Sequence, residues 1–509
     1  MATQIPPPPK KKARLAGPAI ALPDVPTSNV VIQFTDAQAE AIGPAVSLAS
    51  DTPREGLELL VNSLNKTTDE PVPYSFQIAI KAAAGDAEDT VLNVDSSLHQ
   101  ALLQYPDLIS SEQTLVVRCT PQAIFKVREI TRCSAAIDGH QAAILCAAFA
   151  PTGSMLATGS GDNTARIWDI DTETPKATLA GHTGWILCIE WDGLERQLAT
   201  GSLDKTIRLW DPRTGNQVGE TLKGHSKWIT SLAWEPIHMN ASGPRLASAS
   251  KDGTVRVWIP SARRTQFTLG GHSASVNAVR WGGEGVIYTA SSDRTVKLWN
   301  AEEGKLIRTL SEHAHWVNTL ALNTDFLLRT GPFDEKAKKQ TSDKEAQATA
   351  LERYKTFTAH SPEQLISGSD DHTLFLWPAL RSETPNPKKP LARLTGHQKQ
   401  VNHVAFSPDG RLIASAGFDN SVRLWDGKTG KFVATLRGHV AAVYRLSWSA
   451  DSRMLVSASK DSTLKLWDLK TKKIRVDLPG HTDEVYCVDF VADKVASGGK
   501  DKKLRIWRH

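Results

Sequence analysis

The sequence predicts an all-β ring of eight blades preceded by a small α+β domain, and three observations carry that expectation. A pattern of histidine, hydroxyl residue, aspartate and tryptophan recurs eight times between Gly139 and Trp507. Its period of roughly 40 residues is the length of one four-stranded propeller blade. All fifteen tryptophans lie at or beyond Trp168, so the chain before the repeats forms a unit of different composition.

Residues 1–28 read as a disordered tail, with Pro6 to Pro9 followed by the basic cluster Lys10, Lys11, Lys12 and Arg14. That cluster is read as a nuclear import signal, with a merely solubilising end as the alternative. From 29 to 120 the pattern changes to short strands and one helix. Val30 to Phe34 alternates as a strand and Pro44 to Leu48 returns as a second. Thr52-Pro53 opens a helix carrying Leu57, Leu60, Val61 and Leu64 at helical spacing. Tyr74 to Ile80 and Val91 to Val94 are further strands, Leu98 to Leu103 a helical turn, and Thr114 to Cys119 a last strand. This is the element order of a ubiquitin-like β-grasp domain, although no Gly-Gly terminus follows Cys119, so conjugation is excluded.

Residues 121–130 form a linker, and 131–509 the ring. The repeat tryptophans are Trp168, Trp210, Trp258, Trp299, Trp377, Trp425, Trp467 and Trp507. Six positions before each stands an aspartate, from Asp162 and Asp204 to Asp501, and four before that a hydroxyl residue, from Thr158 and Thr200 to Ser497. His140, His182, His225, His272, His313, His397, His439 and His481 open the repeats, each after glycine except His313, which follows Glu312. Histidine, hydroxyl and carboxylate suggest a hydrolytic triad. A triad is needed once per site, whereas this set occurs eight times, so it is read as a structural hydrogen-bond chain with no catalytic residue. The pattern resembles WD40 repeats over most of the chain. The last repeat ends two residues after Trp507 with three strands, and Thr131 to Ile137 is expected to supply its outer strand and latch the ring.

The fifth repeat departs from the rest. His313 to Trp377 spans 64 positions where the others need 26 to 33, which places an insertion at about 323–360. Ser342 followed by Glu345 is a capping box, and Ala346, Ala350, Leu351 and Tyr354 predict a helix from about Asp343 to Lys355. Such an insertion is either a solvated excursion or a docking element for a partner. Trp185, Trp228 and Trp316, each three residues past a repeat histidine, are candidate partner-binding residues, because tryptophan anchors interfaces; local packing against the neighbouring blade is the alternative.

Composition excludes other classes. There is no apolar run of membrane-spanning length and no signal peptide. Five scattered cysteines lack a Cys-x-x-Cys pair, so neither disulfides nor a structural zinc are expected. Gly427-Lys428-Thr429 lacks the glycine five positions earlier that a phosphate loop needs, where Val422 stands. No cofactor of the chain's own, small-molecule substrate or membrane partner is expected. Residues 15–120 carry a net charge of about minus ten and 121–509 about plus eleven, so the two parts suit different partners. The local excess at Lys470, Lys472, Lys473, Arg475, Lys494, Lys500, Lys502 and Lys503 is the better phosphate-facing candidate.

The Pro71-Val72-Pro73-Tyr74-Ser75-Phe76 stretch, the acidic turn Ser110-Ser111-Glu112 and the eight repeats together resemble the Notchless family of large ribosomal subunit assembly factors. That resemblance implies a non-enzymatic, nuclear and nucleolar protein. Its ring would bind the pre-60S particle, and its ubiquitin-like domain would bind the metal-ion-dependent adhesion site of the AAA+ ATPase midasin. It also implies that one acidic side chain completes the coordination of the partner's Mg²⁺ in trans. A hard divalent ion takes one or two carboxylates and keeps other positions open. Glu112, between small serines and a strand, is the choice for that ligand; Asp69 and Glu70 are the competitors. A WD40 adaptor in ubiquitin ligation or Notch signalling is the alternative function.

Overall fold

The computed structural model describes residues 29–36, 40–65, 74–80, 90–94, 97–99, 114–121, 130–333, 342–359, 361–378, 380 and 389–508. The chain divides into two compact units, with the boundary at Thr120 and Pro121.

The first unit is a mixed five-stranded sheet with a helix. Its elements are β1 (Asn29–Thr35), β2 (Val46–Ala49), α1 (Arg54–Leu64), β3 (Tyr74–Ile80), β4 (Thr90–Asn93) and β5 (Leu115–Pro121). The sheet order is β2-β1-β5-β3-β4. β1 pairs antiparallel with β2 and parallel with β5, bringing the two ends of the unit side by side at the sheet centre. Alternation in sequence becomes alternation in burial: Val30, Ile32 and Phe34 of β1 face inward with Leu115, Val117 and Cys119 of β5. Leu57 and Val61 of α1 are buried, as are Phe76 and Ile78 of β3.

The second unit holds eight antiparallel sheets. In chain order they cover 144–179, 186–210, 229–269, 276–310, 317–394, 401–437, 443–478 and 485–508. The first strand of each sheet packs on the first strand of the next, and that of the eighth, Val485–Val491, packs on that of the first, Ile144–Phe149. The sheets therefore make a closed ring around a channel. The outer strand of the eighth sheet is β6 (Arg132–Ile137), antiparallel to Leu504–Arg508 with Leu504 opposite Ile137 and Arg508 opposite Arg132. The ring is thus latched by the segment that precedes it in sequence.

The second sheet differs from the expected four strands: three are regular, and the backbone of 217–222 pairs with the third through the isolated bridges Trp210 to Gln217 and Ile207 to Leu222. Gly219, at φ +72°, turns the backbone out of the extended run between these two bridges.

The insertion in the fifth repeat folds onto its own ring. It contains α2 (Asp325–Thr330) and α3 (Asp343–Thr358), the latter capped by Ser342, whose hydroxyl accepts from the Glu345 N–H at 3.3 Å. α3 buries Ala346, Ala350 and Tyr354, and Ala350 packs with Ile237 and Ala241 of the third repeat. The Tyr354 ring stacks on His238 at 4.5 Å, and the Gln347 amide donates to the carbonyls of His238 and Met239. Buried Glu363 ties the insertion down, accepting from Gly283 N–H, Tyr288 O–H, Thr324 O–H and Tyr354 O–H.

Candidate functional site

All eight repeats assemble the same hydrogen-bond chain. In the second, His182 Nδ1 lies 2.8 Å from Asp204 Oδ2, His182 Nε2 lies 2.9 Å from Thr200 Oγ1, and Trp210 Nε1–H donates to that hydroxyl at 2.8 Å. The aspartate accepts, so Nδ1 carries the proton; Nε2 then accepts from the threonine hydroxyl, which itself accepts from the indole. Every donor has one acceptor. In the first repeat His140, Asp162, Thr158 and Trp168 repeat these contacts at 2.8, 2.9 and 2.8 Å. The second carboxylate oxygen holds a turn: Asp204 Oδ1 accepts from Thr206 N–H at 2.9 Å and from its hydroxyl, and Lys205 between them sits at φ +71°. Thr158 and Thr200 are fully buried between two rings, which leaves no face for a substrate.

The glycine before each histidine has a steric cause. A Cβ on Gly181 would come within 2.6 Å of the Arg208 guanidinium, and one on Gly139 within 2.9 Å of Arg166. Where the fifth repeat carries Glu312, the corresponding position two before the tryptophan is Phe375, whose ring packs edge-on against His313 at 4.6 Å. In the fourth and seventh repeats, where Lys297 and Lys465 stand at that position, a Cβ on Gly271 or Gly438 would instead meet Trp299 at 3.3 Å or Ile474 at 2.6 Å.

These carboxyls govern acid stability. Burial alone would raise the pKa of Asp162, but hydrogen bonds from Thr164, Gln141 and His140 overcome it and hold the group down at about 2; Asp252 behaves alike through Thr254, Ser226 and His225. A depressed carboxyl stabilises the fold above its unfolded value, and that contribution is lost as pH falls through the folded value, about 2 kcal/mol for each group. Burial lowers His140 and His225, which adds destabilisation on acidification below their ordinary range. Other carboxyls run the opposite way: burial raises Glu190 to about 7, Asp192 and Glu363 to about 6, and Asp325 above its ordinary value, so the fold gains stability as these protonate on descent from neutral pH. Denaturant midpoints are therefore expected to fall steeply between pH 4 and 2, after little change between pH 7 and 5. A midpoint that holds constant down to pH 2.5 would contradict this.

The candidate interface residues stand at the histidine end of the ring. Trp185 is 53% exposed and Trp316 51% exposed. The indole of Trp185 passes over Gly161 of the neighbouring repeat, and Trp316 lies against His315 at 5.3 Å. Trp228 is half-buried, with the Lys251 ammonium 4.0 Å above its ring, which combines a cation and an aromatic face at one spot. Glu112 and its competitors Asp69 and Glu70 lie outside the described residues. Among the described residues no cluster of His, Cys, Asp and Glu is arranged to hold a metal ion.

The channel brings together residues that sequence reasoning did not single out. It encloses a cavity of about 660 Å³. All eight inner strands share one bulge, visible as the same register shift from Ile144/Cys146 to Val485/Cys487. Six residues past each histidine, just after that bulge, stand Cys146, Cys188, Ser231, Ala278, Thr319, His403, Arg445 and Cys487. Two residues further on, Glu190, Arg280 and Asp489 are the charged members of a layer otherwise of alanine and serine. α2 lies across this end: Arg329 reaches Asp489 at 3.1 Å, and Arg280 reaches Asp325 at 3.5 Å. Burial raises Asp325 as it does Glu190. Counting from each repeat histidine is the signal that would have found these positions.

Residues 131–169, 173–211, 216–258, 263–300, 388–426, 430–468 and 471–508 match the WD domain, G-beta repeat family, and 30–102 match the NLE (NUC135) domain. The interrupted fifth repeat falls between the matched ranges. Ribosome assembly protein 4 of Saccharomyces cerevisiae is 50% identical over 445 residues, 85% of each chain. The Notchless protein homolog of Arabidopsis thaliana is 49% identical, covering 80% of this chain and 81% of its own length. Protein Notchless of Drosophila melanogaster is 46% identical over 73% of each. Among solved structures, the computationally designed protein Ika8 aligns over its whole length and 74% of this chain, with TM-score 0.59 and 25% identity. With half of the aligned positions identical across both units, the chain belongs to the Notchless and ribosome assembly protein 4 family.

Proposed function

We propose that this protein is a non-enzymatic assembly factor of the large ribosomal subunit, acting in the nucleus and nucleolus. The observation that carries the proposal is the 50% identity to a ribosome assembly protein over 85% of both chains, which spans both units rather than the repeats alone. In this reading residues 29–120 are a ubiquitin-like domain, 121–130 a linker and 131–509 an eight-bladed WD40 propeller. The sheet order β2-β1-β5-β3-β4, with a helix after the second strand and the first and last strands parallel, supports the β-grasp assignment.

The propeller binds the pre-60S particle, with the exposed indoles of Trp185 and Trp316 and the Trp228–Lys251 pair as anchoring points. The ubiquitin-like domain binds the adhesion domain of a midasin-type AAA+ ATPase, and Glu112 donates a carboxylate oxygen to the Mg²⁺ held there. Glu112 stands three positions before Leu115, where β5, the strand at the sheet centre, begins. ATP-driven movement in the partner is then transmitted as force to the particle, and this chain supplies the coupling alone.

A pull-down with the ATPase adhesion domain, with and without a chelator, tests this. Binding is expected to need Mg²⁺ and to vanish in Glu112→Ala. It should also fail in Glu112→Asp, which keeps the charge but shortens the reach by one methylene. Undiminished, chelator-insensitive binding by Glu112→Ala would remove the assignment.

A further inference from the structure

We propose that the histidine-end face of the second to fourth repeats binds single-stranded RNA, with Trp185 as the stacking surface for a base and Lys205, Lys227, Lys251 and Arg294 as contacts to the phosphates. The inference names the chemistry that the exposed indoles meet, and so rests on the particle-binding reading above.

The backbone builds this arc. In every repeat the residue before the tetrad aspartate is tied to the residue three past the histidine: Leu203 N–H donates to the Trp185 carbonyl at 2.8 Å, and Lys251 N–H to the Trp228 carbonyl at 3.0 Å. The turn of one repeat also meets the loop of the next. Trp185 lies over Gly161 of the first repeat, and a Cβ on Gly253 would stand 3.1 Å from the Ala274 carbonyl of the fourth. Repeated from blade to blade, these contacts set the two indoles and the four cations along one arc of the face.

Charge singles out the same arc. Lys205, Lys227, Lys251 and Arg294 are exposed. Each repeat carries its tetrad aspartate, and here Asp204, Asp252 and Asp293 are held by their own histidines at 2.8, 2.9 and 2.7 Å. The remaining charged side chains of these loops and turns are all basic, whereas the fifth repeat carries Glu312 and Asp370 and the eighth Asp483 and Glu484. The basic cluster near the carboxyl end is largely answered. Arg475 meets Asp468 at 3.7 Å, Lys494 meets Asp171 at 2.7 Å, Lys500 meets Asp483 at 3.3 Å and Lys503 meets Asp138 at 3.5 Å.

Trp185 decides the class of partner. Its indole rests on Gly161 and is 53% exposed, so a flat ring stands open beside the cations. An acidic peptide would use the cations and leave the ring unmatched, whereas an unpaired base stacks on it while its phosphates reach the lysines. Trp228 serves differently: the Lys251 ammonium lies 4.0 Å above its ring, which holds that cation in place for a phosphate. Bases paired in a duplex present no open face to an indole.

Fluorescence anisotropy of a labelled oligouridylate of about ten nucleotides, titrated with the full chain, tests the proposal. The parent is expected to bind it more tightly than a hairpin duplex of equal charge. Trp185→Ala should weaken binding about five- to a hundredfold. Lys227→Gln and Lys251→Gln should each make the fall of log K with log salt shallower by about 0.7. Lys472→Gln and Lys473→Gln, in the carboxyl-terminal cluster, should bind as the parent does. Melting establishes that each variant is folded, and if Trp185→Ala is not, the salt slopes of the lysine variants provide the readout. Equal binding of duplex and single strand, undiminished binding by Trp185→Ala, unchanged salt slopes, or binding of polyglutamate in place of RNA would overturn the proposal. Co-sedimentation of the parent with large-subunit precursors tests the assembly role separately: co-sedimentation without oligonucleotide binding removes this inference and leaves that role standing.

Discussion

Asp204→Ala is expected to destabilise the ring by about 3–5 kcal/mol, because it strands several buried donors that each cost about 1–3 kcal/mol when left without an acceptor. The carboxylate accepts four hydrogen bonds: from His182 Nδ1 at 2.8 Å, Thr183 N–H at 3.0 Å, Thr206 N–H at 2.9 Å and the Thr206 hydroxyl. Its side chain is 9% exposed, so little water can replace it. Four donors would be stranded and the left-handed turn at Lys205 would lose its clamp. His182 would also lose the group that fixes its tautomer and with it the link to Thr200 and Trp210. Asp204→Asn should be intermediate, because one amide oxygen still accepts while the nitrogen faces donors. Urea unfolding of the two variants measures the difference. A loss below about 1 kcal/mol, the scale of an ordinary exposed pair, would show that the tetrads do not hold the blades.

Removal of β6 is the second change of large effect. A chain beginning at Gly139 lacks the pairing of Arg132–Ile137 with Leu504–Arg508, together with the Thr131 N–H bond to the Arg508 carbonyl. It would leave an open sheet edge in the eighth blade, and Ala135 and Ile137 would no longer cover Ile506 and Trp168. The expected outcome is melting lower by roughly 10 °C or more and self-association in size-exclusion chromatography. A chain beginning at Ile130 keeps the strand and the buried Ile130 side chain, and should melt with the parent. Equal melting of the two truncations would mean that the seam closes without its outer strand.

The tetrads were legible because each is a local code: fixed spacings within one repeat specify strand, turn and strand, and the hydrogen bonds follow. The helix after Ser342 was legible for the same reason, since its cap and the burial of Ala346, Ala350 and Tyr354 depend on neighbours three and four residues away. What covers those residues was not legible. Alternation along α3 says nothing about His238 or Glu363, which come from other turns of the chain. Arg445 was hidden likewise: in Val443-Tyr444-Arg445-Leu446 it resembles Arg166, which belongs to a third strand, and only the shared bulge distinguishes a position that faces the channel. The exception at Glu312 was visible in the sequence, whereas the packing of Phe375, more than sixty residues away, on the adjacent His313 was not. Glu112 rests on resemblance and on the strand that follows it.

The insertion changes what the ring is mechanically. Its helices reach the second and third repeats through the Arg196–Asp343 pair and Gln347, and the fourth and eighth through Asp325 and Arg329. A hoop held only by adjacent blades would yield at its single seam when tugged from one side. Struts across the opening share such a pull among repeats that are not sequence neighbours, as spokes stiffen a rim, so that a load applied at the amino-terminal end need not be borne by the latch alone.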